Sequence, residues 1–330
     1  MSITNPHKIV ISRTDSIGDV VLTLPLAGIL KEHFPSAQIV FLGNTYTRPI
    51  IQCCPHVDEI WEWAELEKKG DDELIEWLAS QEVDTFIHVF PRKELAKKVK
   101  KARIPNRIGT SHRLYHLSTC NHRPNFSRKR SDLHESQLNC KLLQPLGISK
   151  FYSLAELTEY AGFKNPNVLP EKFSSLFPTG KKKIILHPKS QGSAVEWPLE
   201  DFVKLMNELS ADEHEIFVTG TEKEAEMFRK QLPQANYIHD MGGKMTLEEL
   251  ISFIEQADYL VAASTGPLHI AGMCGIHTIG LFSTIKPIHA GRWKPLGINT
   301  IVFEDKKNLK NPQPLAVDYR DIVQEIQRDP

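Results

Sequence analysis

Residues 259–269, Tyr259-Leu260-Val261-Ala262-Ala263-Ser264-Thr265-Gly266-Pro267-Leu268-His269, read as a buried strand that ends in a small polar turn and passes at once into a helix. Five apolar residues in a row suit a strand covered on both faces. Ser264 and Thr265 are N-cap residue types, and Pro267 fits the first turn, where its missing N–H leaves no partner unsatisfied. Such a junction aims several backbone N–H groups and the positive end of a helix dipole at one spot outside the sheet, a spot suited to a phosphate or diphosphate. Strand–cap–helix junctions also serve as plain connections, and the remainder of the chain has to decide between the two.

Outward from this stretch the pattern repeats. One series of βα units opens at Lys8-Ile9-Val10-Ile11-Ser12, followed by a turn and a helix over about 18–33. Further strands are predicted near 38–42, 59–63 and 84–90. A second series opens at Lys183-Ile184-Ile185-Leu186-His187 and continues with strands near 215–219, 236–239, 258–263 and 277–282. Apolar, β-branched runs alternating with helix-length segments imply parallel sheets covered on both faces. Between the series, residues 164–182 carry Pro166, Pro170, Pro178 and Gly180 in a polar stretch, the best candidate linker. The predicted architecture is α/β, two Rossmann-like domains (1–165 and 183–330) joined by a linker (166–182) and facing each other across a cleft. Ligands in such sheets sit outside the carboxyl ends of the strands.

Composition narrows the class. With 330 residues, 41% hydrophobic and 25% charged residues and a net charge of −1, the chain reads as an ordinary globular protein of about two domains. The near-zero charge hides an asymmetry: residues 92–130 hold thirteen Lys or Arg against one acid, Glu94. The 5 cysteines have no zinc-type spacing and read as reduced thiols of a cytosolic protein. The N-terminus reads as lacking a signal peptide, and the apolar run 20–30 is too short to span a bilayer. There is no G-x-G-x-x-G after the first strand and no G-x-x-x-x-G-K-[ST], against a standard dinucleotide dehydrogenase and a P-loop NTPase. No Asp-x-Asp pair offers a metal clamp. A bound diphosphate would have to be neutralised by helix dipoles and cationic side chains, with no metal and no separate cofactor.

Three separated motifs together resemble glycosyltransferase family nine, the heptosyltransferase type. They are Arg13-Thr14-Asp15-Ser16-Ile17-Gly18-Asp19-Val20-Val21-Leu22-Thr23-Leu24-Pro25, followed by Phe34-Pro35; His187-Pro188 through Gly192-Ser193 to Trp197-Pro198; and Ser264 to His269, continuing through Ile270-Ala271-Gly272 to Leu281-Phe282. Gly220-Thr221-Glu222 and Lys244-Met245-Thr246-Leu247 are weaker matches. The resemblance implies a GT-B fold with an N-terminal acceptor domain and a C-terminal donor domain. It also implies inverting, metal-independent transfer from a nucleotide-diphosphate sugar, with ADP-heptose as the leading donor. It further implies that the last helix, over 317–327, packs back on the N-terminal domain.

The same resemblance assigns roles. Asp19 becomes the general base that takes the proton of the acceptor hydroxyl; by position alone it also fits a plain partner of the helix dipole. Thr265 and Gly266, with Ser264, hold the diphosphate, and His269 lies one turn further on, as fit for packing as for ligand contact. Lys189, Ser190, Gly192 and Ser193 form a small polar loop suited to a second set of phosphate contacts, or to a flexible turn. Glu222 matches the acid that contacts the donor ribose, and Met245 the position beside the base. Two departures touch the donor site. Val195 stands where the family commonly has Lys, which leaves Lys189 as the replacement cation, and Ser264 stands where an acid often precedes Thr-Gly.

Arg13, Lys97, Arg107 and Arg113 are the candidate acceptor contacts, drawn from the first motif and from the basic segment. That segment suits an anionic saccharide or lipid-linked acceptor, such as a lipopolysaccharide inner core, and peripheral contact with an anionic membrane at its cytoplasmic face. It also fits a solvated cationic helix, and no nucleic-acid-binding motif accompanies it. A nucleotide-sugar epimerase or hydrolase of the same architecture, and a non-catalytic nucleotide- or glycan-binding homologue, are the alternative functions.

Overall fold

The computed structural model describes residues 3–305 and 314–328. The chain divides into two compact units, Met1–Lys164 and Asn165–Pro330. Among the described residues no helix is long and apolar enough to cross a membrane.

The first unit is built on five parallel strands: β1 (Lys8–Ser12), β2 (Gln38–Gly43), β3 (Glu59–Glu62), β4 (Thr85–His88) and β5 (Asn106–Ile108). Their order is β3-β2-β1-β4-β5. Ile9, Val10 and Ile11 of β1 and Phe86 and Ile87 of β4 are fully buried, as central strands with helices on both faces require. Ser12 lies in register with His88 at the carboxyl end of this central pair. The helix predicted over 18–33 is two helices, Ile17–Val21 and Pro25–His33. Pro25 has no N–H to continue the first helix and starts the second instead. Gly28 allows that second helix to lie against Leu154–Ala161, since a Cβ at Gly28 would stand 2.0 Å from the Tyr160 carbonyl oxygen.

The second unit repeats the design with six parallel strands: β6 (Lys182–His187), β7 (His214–Val218), β8 (Ile238–Asp240), β9 (Tyr259–Ala263), β10 (His277–Ser283) and β11 (Thr300–Asp305). Their order is β11-β10-β9-β6-β7-β8. Both sheets therefore reverse direction once, between β1 and β4 and between β6 and β9, the switch points where a doubly wound sheet opens a crevice at its carboxyl edge. The stretch 166–182, expected as a linker, is packed on this unit: Phe173 and Phe177 lie 5.7 and 4.7 Å from the Phe253 ring, and Lys172 pairs with Glu249 at 2.6 Å. The last helix, Tyr319–Arg328, buries Ile322, Val323 and Ile326 in the second unit's own core with Phe202 and Leu205 of the helix Leu199–Glu208. The resemblance had directed that apolar face to the first unit.

Candidate functional site

At the carboxyl edge of the first sheet, β1 runs into a short loop, 13–16, and then into the helix Ile17–Val21, which carries Asp19. Arg13 follows the last residue of β1 and is almost fully buried, so its charge must be met by carboxylates. Each guanidinium nitrogen finds a different one. Nε donates to Asp15 Oδ1 at 2.8 Å, Nη2 to Asp19 Oδ1, and Nη1 to Glu135 Oε1 at 3.4 Å. The Ser16 hydroxyl donates to the second oxygen of Asp19. The Asp19 carboxylate keeps 18% of its surface open to solvent, while the Glu135 side chain keeps 1%. Burial pushes the Asp15 carboxyl above its ordinary value, against the pull of Arg13. The loop is steadied from β2's side by Tyr46 and Asn44, which donate to the Asp15 carbonyl at 2.7 and 3.2 Å. From β4's side, Arg92 donates to the Thr14 carbonyl at 3.0 Å.

The other residues predicted to meet the acceptor separate by environment. Lys97 lies on the outer helix Lys93–Lys101, paired with Glu94 at 3.1 Å. Arg107 is committed to backbone carbonyls, of Thr119 at 2.8 Å, of Pro105 at 3.3 Å and of Ile104, which ties β5 to the segment that follows it. Arg113 is exposed on the loop after β5. The structure thus brings Arg13 together with Asp19 and leaves Lys97, Arg107 and Arg113 apart from them.

In the second unit, β9 ends as read from the sequence. Thr265 is the N-cap of the helix Gly266–Cys274, with φ −120° and ψ 166°, yet its side chain makes no capping hydrogen bond. Its Oγ1 is buried and has no hydrogen-bond partner among the described residues. The amides of Gly266 and Leu268 precede the first intrahelical bond, His269 N to Thr265 O at 3.3 Å. A buried hydroxyl and orphan amides at a helix N-terminus form a ready anion site. His269 is buried one turn inside. Gly272 lets this helix seat deeply, since a Cβ there would lie 2.1 Å from the Leu296 carbonyl oxygen.

Beside β9, the carboxyl end of β6 carries the loop with Lys189, Ser190, Gly192 and Ser193. Glu196 organises it, accepting from Lys189 Nζ at 2.9 Å, from Ser190 N at 2.8 Å and from Ser190 Oγ at 3.0 Å. Burial pushes the Glu196 carboxyl up, but these donors outweigh it and hold it below the ordinary carboxylate value. Ser193 Oγ donates to Ser190 O at 2.7 Å, and Gly192 takes a φ of 81°, a turn that favours glycine. Lys189 and Val195 line the same cavity of about 540 Å³, with Gly192, Ser193 and Trp197. Trp197 itself is core, its Nε1 donating to the Val317 carbonyl at 3.0 Å. Behind the loop, buried His187 bonds Thr219 through Nδ1 at 2.9 Å. Burial lowers its basicity against the opposing pull of Glu224 and Glu196.

Since β6 and β9 are neighbours in register, His187 beside Ala262, the Lys189–Ser193 loop and the Thr265 turn share one switch point. Glu222 and Met245 stand further along the same edge, after β7 and β8. Glu222 pairs with Arg229 at 2.8 Å, which holds its carboxyl low, and Met245 is half-buried before the Thr246 cap. Sequence reading placed Arg128 only among the cations of the basic segment, and it missed Glu135 and Glu196. Glu135 lies in a polar segment with no periodic signal, and Glu196 acquires its role only where the loop folds Lys189 and Ser190 onto it. Among the described residues no group of three or more His, Cys, Asp or Glu is placed to hold a metal ion.

Two doubly wound units with polar loops at their switch points define the α/β class of the GT-B glycosyltransferases. The comparisons agree. Over residues 99–316, more than half of its length, the chain matches the model of Glycosyltransferase family 9 (heptosyltransferase), and it belongs to that family. It is 26% identical over 303 residues to a Haemophilus influenzae protein named no more specifically than a glycosyltransferase, covering 88% of this chain and 86% of that one. It is 23% identical over 327 residues to lipopolysaccharide heptosyltransferase 3 of Escherichia coli, covering 94% and 90%. The solved structure of the E. coli ADP-heptose lps heptosyltransferase II superposes with a TM-score of 0.72 at 16% identity, covering 98% of each chain. The chain is a glycosyltransferase.

Proposed function

We propose that this glycosyltransferase moves a heptose from ADP-heptose to a cell-envelope saccharide of the lipopolysaccharide inner-core type, with inversion, without a metal, and with Asp19 as general base. The observation that carries the reading is the buried Thr265 hydroxyl, unpartnered among the described residues and set beside orphan amides at the β6/β9 switch point. A buried donor left unmatched costs about 1–3 kcal/mol, and a diphosphate oxygen would supply its acceptor. The donor sugar and acceptor are taken from what the relatives are named for, heptose and lipopolysaccharide.

In this scheme the acceptor hydroxyl oxygen attacks the anomeric carbon from the face opposite the diphosphate. The carbon–oxygen bond to the diphosphate breaks and its electron pair leaves with the nucleotide. The hydroxyl proton passes to the Asp19 carboxylate, a transfer that typically contributes about 10²–10⁴-fold. Charge on the departing diphosphate is met by the Thr265 hydroxyl, by the amides of Gly266 and Leu268, and by the Lys189 ammonium. Lys189 stands in the loop where Val195 replaces the family's lysine. The family match begins at residue 99, so support for Asp19 is geometric: a partly open carboxylate, oriented by Arg13, at the edge of its sheet.

The anionic, lipid-linked acceptor and its membrane would be met by the basic surface of the first unit. There Leu114 and Leu117 are 87% and 56% exposed in a segment that also carries exposed Arg113 and Arg123. Binding to vesicles containing anionic lipid, absent with neutral vesicles, is the expected result. The central test is melting with ADP, UDP, GDP and CDP without metal, then transfer assays with ADP-heptose and a heptose-free core acceptor. We expect selective stabilisation by ADP, a product of inverted configuration, and a loss of at least 100-fold in kcat for Asp19→Asn. Wild-type turnover by Asp19→Asn would remove the base; stabilisation by another nucleotide alone would remove the ADP donor.

A further inference from the structure

The Asp19 loop is held by a segment far along the chain. The helix Glu135–Cys140 begins with the buried carboxylate that takes the third nitrogen of Arg13. That carboxylate also accepts from Arg128 Nε at 2.9 Å, and Arg128 Nη2 donates to Asn139 Oδ1 at 2.8 Å. Asn139 and Ser136 in turn donate to the Leu22 carbonyl at 3.2 and 2.7 Å, at the end of the short helix that carries Asp19. Asn139 also reaches Thr23 Oγ1 at 3.2 Å, whose hydroxyl donates to the Asp19 carbonyl at 2.8 Å. One segment therefore grips the Asp19 helix twice, by hydrogen bonds at its carboxyl end and through the Arg13 fork at its side chain.

We infer that Glu135 and Arg128 are positioning residues for the proposed base: together they set how the Arg13 guanidinium is shared, and so how the Asp19 carboxylate is aimed and how readily it accepts a proton. The inference rests on the reading of Asp19 as general base. Arg13 faces three carboxylates, those of Asp15, Asp19 and Glu135. Arg128 supplies the second positive charge, and Arg92 stands next door on Thr14. Without Arg128, Glu135 draws more heavily on Arg13, and the negative charge beside the base is less compensated. Without the Glu135 charge, Arg13 serves Asp19 more strongly. The two losses act on the base in opposite directions.

The test is the pH profile of kcat/KM, whose acid limb reports deprotonation of the base in the free enzyme. Arg128→Met should move the limb upward and Glu135→Gln downward, each by on the order of 0.5–1 pH unit. The double variant should return to within about 0.3 unit of the wild type. A purely structural role lowers kcat in both single variants without moving the limbs apart. Because Glu135 is the more buried of the two, Arg128→Met carries the test if Glu135→Gln does not fold, and Arg128→Lys should restore the wild-type limb. Asp19→Asn run in parallel separates the two readings. If it is inactive and the limbs coincide with wild type, the positioning role is overturned and the base stands. If it turns over normally, both fall.

Discussion

Thr265→Val is the variant for which the structure predicts opposite effects on stability and on binding. Thr265 is 4% exposed, its side chain makes no capping bond to its helix, and its hydroxyl has no partner among the described residues. Valine keeps the branched shape and removes the hydroxyl. An unmatched buried donor costs about 1–3 kcal/mol, so the ligand-free variant should be more stable than the wild type by about 1–2 kcal/mol. For a unit of this size that is roughly 2–4 °C in Tm per kcal/mol. The same hydroxyl, donating to a charged diphosphate oxygen, is worth about 1.5–3 kcal/mol. Kd for ADP should therefore rise roughly 10- to 150-fold. The assay is one set of melting curves with and without ADP: the variant should start higher and respond less. Thr265→Ser, which keeps the hydroxyl, should retain the ADP response. A variant that melts lower than wild type and binds ADP within about twofold of it would refute the reasoning, because the hydroxyl would then have a partner in the folded protein.

Other expectations follow from the buried histidines and the donor loop. Burial lowers His88 from 6.5 to about 3, with the charges of His116 and Arg107 acting in the same direction. The unfolded chain takes up this proton first, so the contribution is complete above pH 6.5 and is lost as pH falls toward 3. At pH 5 the loss amounts to about 2 kcal/mol, and urea midpoints at pH 7 and 5 should show it in the wild type and a smaller one in His88→Leu. An identical slope in the two proteins would assign the acid sensitivity elsewhere. Lys189→Met removes the cation of the Val195 loop and leaves Glu196 without its ion-pair partner. Isothermal titration should show ADP binding weakened about tenfold or more, and binding within twofold of wild type would exclude Lys189 from the diphosphate.

Much of the fold was legible because its signals are local. Runs such as 9–11, 39–42 and 184–186 are apolar and β-branched over the length of a strand, and the helices between them carry their caps within a few residues. The edge strand β5 was missed for the opposite reason, whereas β11 was missed although Ile301-Val302-Phe303 carries the same apolar, β-branched signal. Asn106-Arg107-Ile108 is short and polar, and becomes a strand by pairing with β4. The stretch 166–182 has linker composition, but Phe173 and Phe177 give it an aromatic cluster to join. Arg107 looked like a ligand-binding cation and proved to be a tie between backbone carbonyls, a distinction that depends on which oxygens surround it.

By itself, the sequence determined the alternating βα order, the strand-to-helix turn at Thr265-Gly266-Pro267 and the place of Asp19 just after the first strand. Each of these depends on hydrophobic runs and on residues such as Pro267 that act within a turn or two of chain. Tertiary structure alone decided that Arg13 meets a carboxylate 122 residues away. It also decided that Lys189 and Thr265 share a switch point, and that the Thr265 hydroxyl is left without a partner among the described residues. Charge sharing and desolvation depend on distances in space, and only packing sets those between groups so far apart along the chain.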